Sequence, residues 1–271
     1  MDERVRVTVA GHVATAAMVR ADKHNALDQA MFDGLIAAAA EIRATPGVRC
    51  VVLCGDGPSF CSGLDVLSFA EGGGSIADSP LLDREEGARA NLAQRVALDW
   101  VDLPVPVIAA VHGNCLGGGL QIALGADLRI AHPEAKLSIR EIHWGLIPDM
   151  GITETLPRLV ASDVAKELTY TGRIVSGEEA SALGLVTRLA GDPLAAAQEL
   201  AAEIASRSPD ATRAAKRLYD TVYASGPDLA LETELQRALI GSPNQFAAAV
   251  AGMTKQPAAF TDPDPEPAPA A

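Results

Sequence analysis

Aromatic side chains are scarce in this chain. Phe, Tyr and Trp make up 4% of 271 residues, so alanine, valine and leucine must fill the interior. Cysteine is sparse too: Cys50, Cys54, Cys61 and Cys115 form no CxxC pair. Cys50 and Cys54 share an expected strand, too far apart along it to bridge. Reduced, buried thiols in a cytoplasmic protein are the reading, and Cys61 has no basic partner to make it a nucleophile. Positive charge is in deficit, with 22 Lys and Arg against 35 Asp and Glu and a net charge of −13. That excludes nucleic-acid backbones and anionic membranes as partners, but not one anionic ligand held by a local basic patch. No apolar run is long enough to span a bilayer, and Met1-Asp2-Glu3-Arg4 leads into a strand pattern without a signal peptide. His12, His24, His112, His132 and His143 lack metal-ligand spacing, so no metal is expected.

What is present is the composition of a globular protein, 48% hydrophobic and 21% charged. Val5, Val7 and Val9 alternate with polar residues, and Val13 to Val19 returns after a turn, which predicts a β-hairpin. Asp28 caps a helix running to about Arg43, and Val48 to Cys54 is the next strand. The segment Ser68 to Asp83 has no clear periodicity and reads as a lid or loop. A helix is expected over 85–101, a buried strand over 105–111 and shorter strands near 127–131 and 136–138. This alternation predicts an α/β fold with parallel strands and crossover helices. After Ile152 the pattern turns helical, over about 153–170, 177–183, 192–206, 209–224, 227–240 and 243–253, with one strand near 185–189. The chain divides into a core over 1–200, a C-terminal helical oligomerisation region over 201–260 and a disordered Pro-rich acidic tail over 261–271.

Two strand-to-glycine turns carry the chemistry. One runs from the strand ending at Val111 into Leu116-Gly117-Gly118-Gly119-Leu120-Gln121. No Lys-Ser/Thr follows the glycines and no GxGxxG spacing is present, so this is not a phosphate cradle. The other leaves Val51-Val52-Leu53-Cys54 for Phe60-Cys61-Ser62-Gly63-Leu64-Asp65. Two such turns, each offering a free N–H, can make a two-donor oxyanion hole.

These blocks, with Lys23-His24-Asn25-Ala26-Leu27, Glu141-Ile142-His143-Trp144-Gly145-Leu146-Ile147-Pro148 and Thr171-Gly172-Arg173, resemble the crotonase (enoyl-CoA hydratase/isomerase) family from Asn25 to about Phe260. The resemblance implies a fold of repeated ββα units, a parallel-rich sheet, and C-terminal helices packing between subunits of a homotrimer or homohexamer. Leu229, Leu231, Leu235, Leu239 and Ile240 would supply that apolar surface. It implies an acyl-CoA substrate with coenzyme A as the carrier, no prosthetic group, and oxyanion donors at the backbone N–H groups of Leu64 and Gly118. Lys23, Ala26, Ser62, Gly63, Leu64 and Asp65 match the loops lining the nucleotide and pantetheine path. Lys255 and Phe260 match a C-terminal block that reaches a neighbour's coenzyme A.

Departures from the family pattern sharpen the expectation. In the family's hydratases the position of Gln121 is a glutamate working with a second glutamate, matched by Glu141, to activate water. Glutamine keeps a pocket hydrogen bond but has no proton to exchange. Asp149 stands where hydratases usually have glycine, and the family's dienoyl thioester isomerases resemble this chain in carrying a Glu and an Asp at the positions of Glu141 and Asp149. Asp149 has a second reading, as an N-cap for the next helix. Arg140 replaces a common proline, which bears on the aim of Glu141. The expected activity is double-bond isomerisation of an enoyl- or dienoyl-CoA. The alternatives are 2-enoyl-CoA hydration and, in another class, a non-catalytic acyl-CoA-binding subunit.

Overall fold

In the computed structural model, residues 3–66, 68 and 80–265 are described. The hairpin of β1 (Val5–Ala10) and β2 (Val13–Met18) opens a six-stranded sheet. β3 (Cys50–Gly55), β4 (Val107–Val111), β6 (Leu128–Ala131) and β9 (Arg188–Leu189) extend it in the order β1-β2-β3-β4-β6-β9, every pairing after the first being parallel. A smaller sheet joins β5 (Asn114–Leu116), β7 (Lys136–Ser138) and β8 (Val175–Ser176).

All of β3 and β4 is buried because both faces of the sheet are covered, as parallel sheets require. Val51 and Leu53 face α1 (Gln29–Ala44), α2 (Leu92–Val101) and α3 (Gly118–Leu124), packing with Phe32, Leu35, Val96, Trp100 and Leu120. Cys50, Val52 and Cys54 alternate to the other face, against Ala197 and Ala201 of α7 (Pro193–Ala205). Alanines let that helix sit close to the strands without aromatic filler. The four thiols are unbridged and buried. Burial pushes Cys50 and Cys61 up to about 12 and Cys54 to about 11, so they are inert packing residues.

Several boundaries differ from those expected. The helix placed over 85–101 begins at Leu92, because Asn91 and Gln94 form a reciprocal capping box and Gly87 adopts a positive φ before it. The helix over 153–170 is broken into α4 (Ile152–Thr155), a 3-10 turn and α5 (Ser162–Thr171) by Pro157, which cannot continue a helix. After α6 (Gly177–Leu183), only Arg188–Leu189 of the strand near 185–189 pairs, while Leu185 bonds back to Ala180. α8 (Pro209–Ser225), α9 (Leu229–Leu239) and α10 (Pro243–Thr254) follow.

Residues 67 and 69–79 of the expected lid lie outside the described residues, as do 266–271 of the expected tail. The first residues of that tail are not loose. Arg49 binds the Asp262 carboxylate at 2.5 Å, and Thr261 exchanges hydrogen bonds with the Asn244 side chain.

Candidate functional site

β3 and β4 end side by side, and the turns that leave them are zipped together. Cys61 N–H donates to Asn114, and Leu116 N–H to the Cys61 carbonyl. The turn of residues 24–27 closes the other side through a single parallel bridge from Leu27 to Leu64. Leu27 N–H donates to Gly63 at 2.8 Å, and Asp65 N–H donates to Leu27 at 2.9 Å. In this bridge the residues on either side of Leu64 pair with Leu27, so the Leu64 N–H points the other way. Among the described residues it has no acceptor, and neither has the Gly118 N–H at the first position of α3. A Cβ built on Gly63 would lie 3.8 Å from the Gly118 nitrogen, so the two turns abut.

The bonds that hold the loops were not all visible in the pattern. Asn25, buried with φ +55, donates through Nδ2 to the carbonyls of Asp56, Ser59 and Phe60 and accepts from Arg20 N–H. Arg20 in turn binds Asp65 at 2.8 Å and the Ala26 carbonyl at 2.9 Å. Burial works against the Asp65 carboxylate, but Ser68 and Arg20 outweigh it and its pKa lies below the usual value. Asp65 therefore pins the loop from inside. Lys23, Ala26, Ser62, Gly63 and Leu64 gather around the same strand crossing, where Ser62 N–H donates to His24. The Lys23 ammonium is exposed and forms no ion pair among the described residues.

Glu141 starts a 3-10 turn, Glu141–Trp144, that faces α3. Gln121, 1% exposed, donates from Nε2 to Glu141 Oε1 at 2.7 Å and accepts the Met150 N–H at 2.8 Å. Glu141 Oε2 is buried with no hydrogen-bond partner. Gly117, with φ +53, allows this approach: a Cβ there would stand 3.2 Å from Glu141 Oε1. Desolvation raises the Glu141 pKa and the Asp149 charge adds to the rise, against backbone dipoles and the Gln121 amide. Desolvation raises Asp149 as well.

The helix-cap reading of Asp149 does not hold. The N-cap of α4 is Gly151, which makes no side-chain cap, and no N–H of that helix bonds Asp149. Arg140 anchors the turn instead of disturbing it, since its guanidinium and the Ser138 hydroxyl both donate to the Gly172 carbonyl. His143 is exposed and packs on Gly172.

The family model described as enoyl-CoA hydratase/isomerase matches residues 8–260. The chain belongs to the enoyl-CoA hydratase/isomerase family.

Within that family, Bacillus subtilis YngF, whose name assigns it provisionally to the enoyl-CoA hydratases/isomerases, is 39% identical over 208 residues, 76% of each chain. The rat mitochondrial Δ(3,5)-Δ(2,4)-dienoyl-CoA isomerase is 33% identical over 224 residues, covering 79% of this chain and 68% of its own. A solved enoyl-CoA hydratase from Bacillus anthracis superposes with a TM-score of 0.83 at 30% identity, over 97% of this chain and 100% of its own. These relatives are named as hydratase and as isomerase alike.

Two residues matched to this family's coenzyme A path, Lys255 and Phe260, stand apart from the others. Phe260 offers its carbonyl to Arg49, at the N-terminal end of β3, whereas Leu64 and Gly118 follow the C-terminal ends of β3 and β4. Lys255 is the exposed C-cap of α10. One chain does not bring Phe260 to its own site.

Proposed function

We propose that this enzyme moves a carbon–carbon double bond along an enoyl- or dienoyl-CoA thioester in preference to adding water to it. The observation that carries the reading is the pair of groups acting on Glu141: the carboxylate of Asp149, whose charge reaches it, and the neutral amide of Gln121, hydrogen-bonded to it. Migration needs a proton taken from one carbon and one returned to another, which two carboxyls with raised pKa values can share. Hydration needs a bound, activated water as well, and the family's second glutamate for that task is absent. The unpaired N–H groups of Leu64 and Gly118 support an oxyanion role: the thioester oxygen sits between them, and the enolate formed on proton loss is stabilised there. The exposed Lys23 ammonium suits a coenzyme A phosphate.

The test is a panel of purified 3-enoyl, 3,5-dienoyl and 2-enoyl thioesters followed by the absorbance of the conjugated product. Isomerisation of the first two outpaces hydration of the third. Glu141→Gln abolishes turnover, Asp149→Asn lowers it by about two orders of magnitude, and Gln121→Glu raises hydration. Fast hydration without isomerisation restores the hydratase reading.

We infer further that the working form is a homotrimer or homohexamer. The helices after α7 leave large apolar side chains open: Leu229 is 73% exposed, Phe246 69% and Met253 77%. Of the leucines expected on this surface, Leu231 is buried within its own chain.

A further inference from the structure

Gln121 touches Glu141 on one side and the backbone beside Asp149 on the other. Its amide orientation is dictated by its partners. The Met150 N–H can only donate, so the atom facing it is the amide oxygen, and the NH2 group is left to donate to Glu141. The two Glu141 oxygens thereby become unlike. Oε1 spends a lone pair on the amide and has Gly117 packed against it, whereas Oε2 is buried and has no partner. A desolvated carboxylate oxygen with no donor is the more basic of the two.

We propose that Gln121 is a positioning residue that assigns the proton-transfer role to the Oε2 oxygen of Glu141 and, through the Met150 N–H, holds the backbone next to Asp149. This rests on the isomerase reading for the chemistry of Glu141. In the forward step a substrate C–H bond breaks and an O–H bond forms at Oε2. The electron pair enters the conjugated enolate, whose oxygen faces Leu64 and Gly118. Protonated Asp149 then gives its proton to the far carbon, and the proton held by Glu141 is exchanged back to Asp149 through solvent, which closes the cycle. Throughout, Oε1 keeps its amide bond and the carboxyl does not rotate.

The ionisable groups around Glu141 leave its titration simple to read. Asp149 is a neighbour whose charge raises its pKa. Arg140 and His143, in and beside the same turn, are engaged at Gly172, and Glu167 of α5 is paired with Arg173.

Infrared difference titration of Glu141, with its carboxyl band assigned by loss in Glu141→Gln, tests the idea without turnover. The pH profile of kcat tests it during turnover. In Gln121→Met the lost donor raises the Glu141 midpoint by about one pH unit. The acidic limb of kcat moves up with it, and the plateau of kcat above that limb falls about tenfold because Oε1 is no longer held, with KM within about twofold. In Gln121→Glu the Met150 N–H keeps its acceptor, but a like charge replaces the donor. The pair then titrates in two separated steps, which keeps the test open if the methionine variant fails to fold. Unmoved midpoints in the folded variants overturn the proposal. A shifted midpoint in a protein that isomerises nothing leaves the positioning role standing and sinks the isomerase reading instead.

Discussion

Gly118 contributes both an N–H and the absence of a side chain, and the two can be separated by substitution. A Cβ there would meet Leu27 Cδ1 and Met150 Sδ, both at 2.8 Å. Leu27 Cδ1 ends its side chain and Met150 Sδ lies one atom from the end of a flexible unbranched one, so Gly118→Ala is accommodated by side-chain shifts and keeps the donor. Gly118→Pro brings the same Cβ and removes the donor, at a first helical position where proline is sterically welcome. If the N–H serves an oxyanion, the proline variant turns over about two to three orders of magnitude more slowly than the alanine variant. Equal rates in the two folded proteins, compared by kcat on an isomerisable thioester, refute the donor role. The comparison matters more than either variant alone, because the crowding at Cβ is common to both.

At the level of elements, the turns around the site are held by side chains more than by regular pairing. Asn25→Ala strands the carbonyls of Asp56, Ser59 and Phe60 and the N–H of Arg20, and places alanine at a positive φ. The expected cost is about 3 kcal/mol, measured by denaturant unfolding; a loss under about 1 kcal/mol shows that the loop relaxes without this clasp. The sequence made the start of α1 legible to the residue, because Asp28 is both a good cap and the boundary of the apolar periodicity. It also located both glycine turns, since strand, glycine and helix follow one another with distinct patterns, whereas Glu141 came only from the resemblance to the family. It did not separate a cap from a catalytic carboxylate at Asp149, because both readings ask for the same residue just before a helix. Only the place of Gly151 as N-cap, in the αL conformation, removes the cap reading. Nor did it reveal that Gln121 reaches Met150, a contact between residues 29 apart that no local pattern encodes. The breaks at Asn91 and Pro157 were written in the sequence as a capping box and a proline, but continuous apolar spacing masked them.

At the level of the whole molecule, the apolar flank of α8 to α10 predicts a trimeric or hexameric mass in solution at micromolar concentration. A monomeric mass refutes it. The C-terminal segment bears on the same question. Asp262 and the Phe260 carbonyl are tied to Arg49 at one end of the sheet, while the reactive turns emerge at the other. If coenzyme A is gripped by Lys255 and Phe260, the grip belongs to a different subunit from the carboxylates it serves. Two crippled proteins, one carrying Glu141→Gln and the other Lys255→Ala, therefore regain part of the wild-type rate when unfolded together and reassembled. Some sites in the mixture draw each half from the chain that kept it intact. In a cell carrying both alleles, the defects would mask one another instead of adding, and inheritance would report the borrowed part of the site.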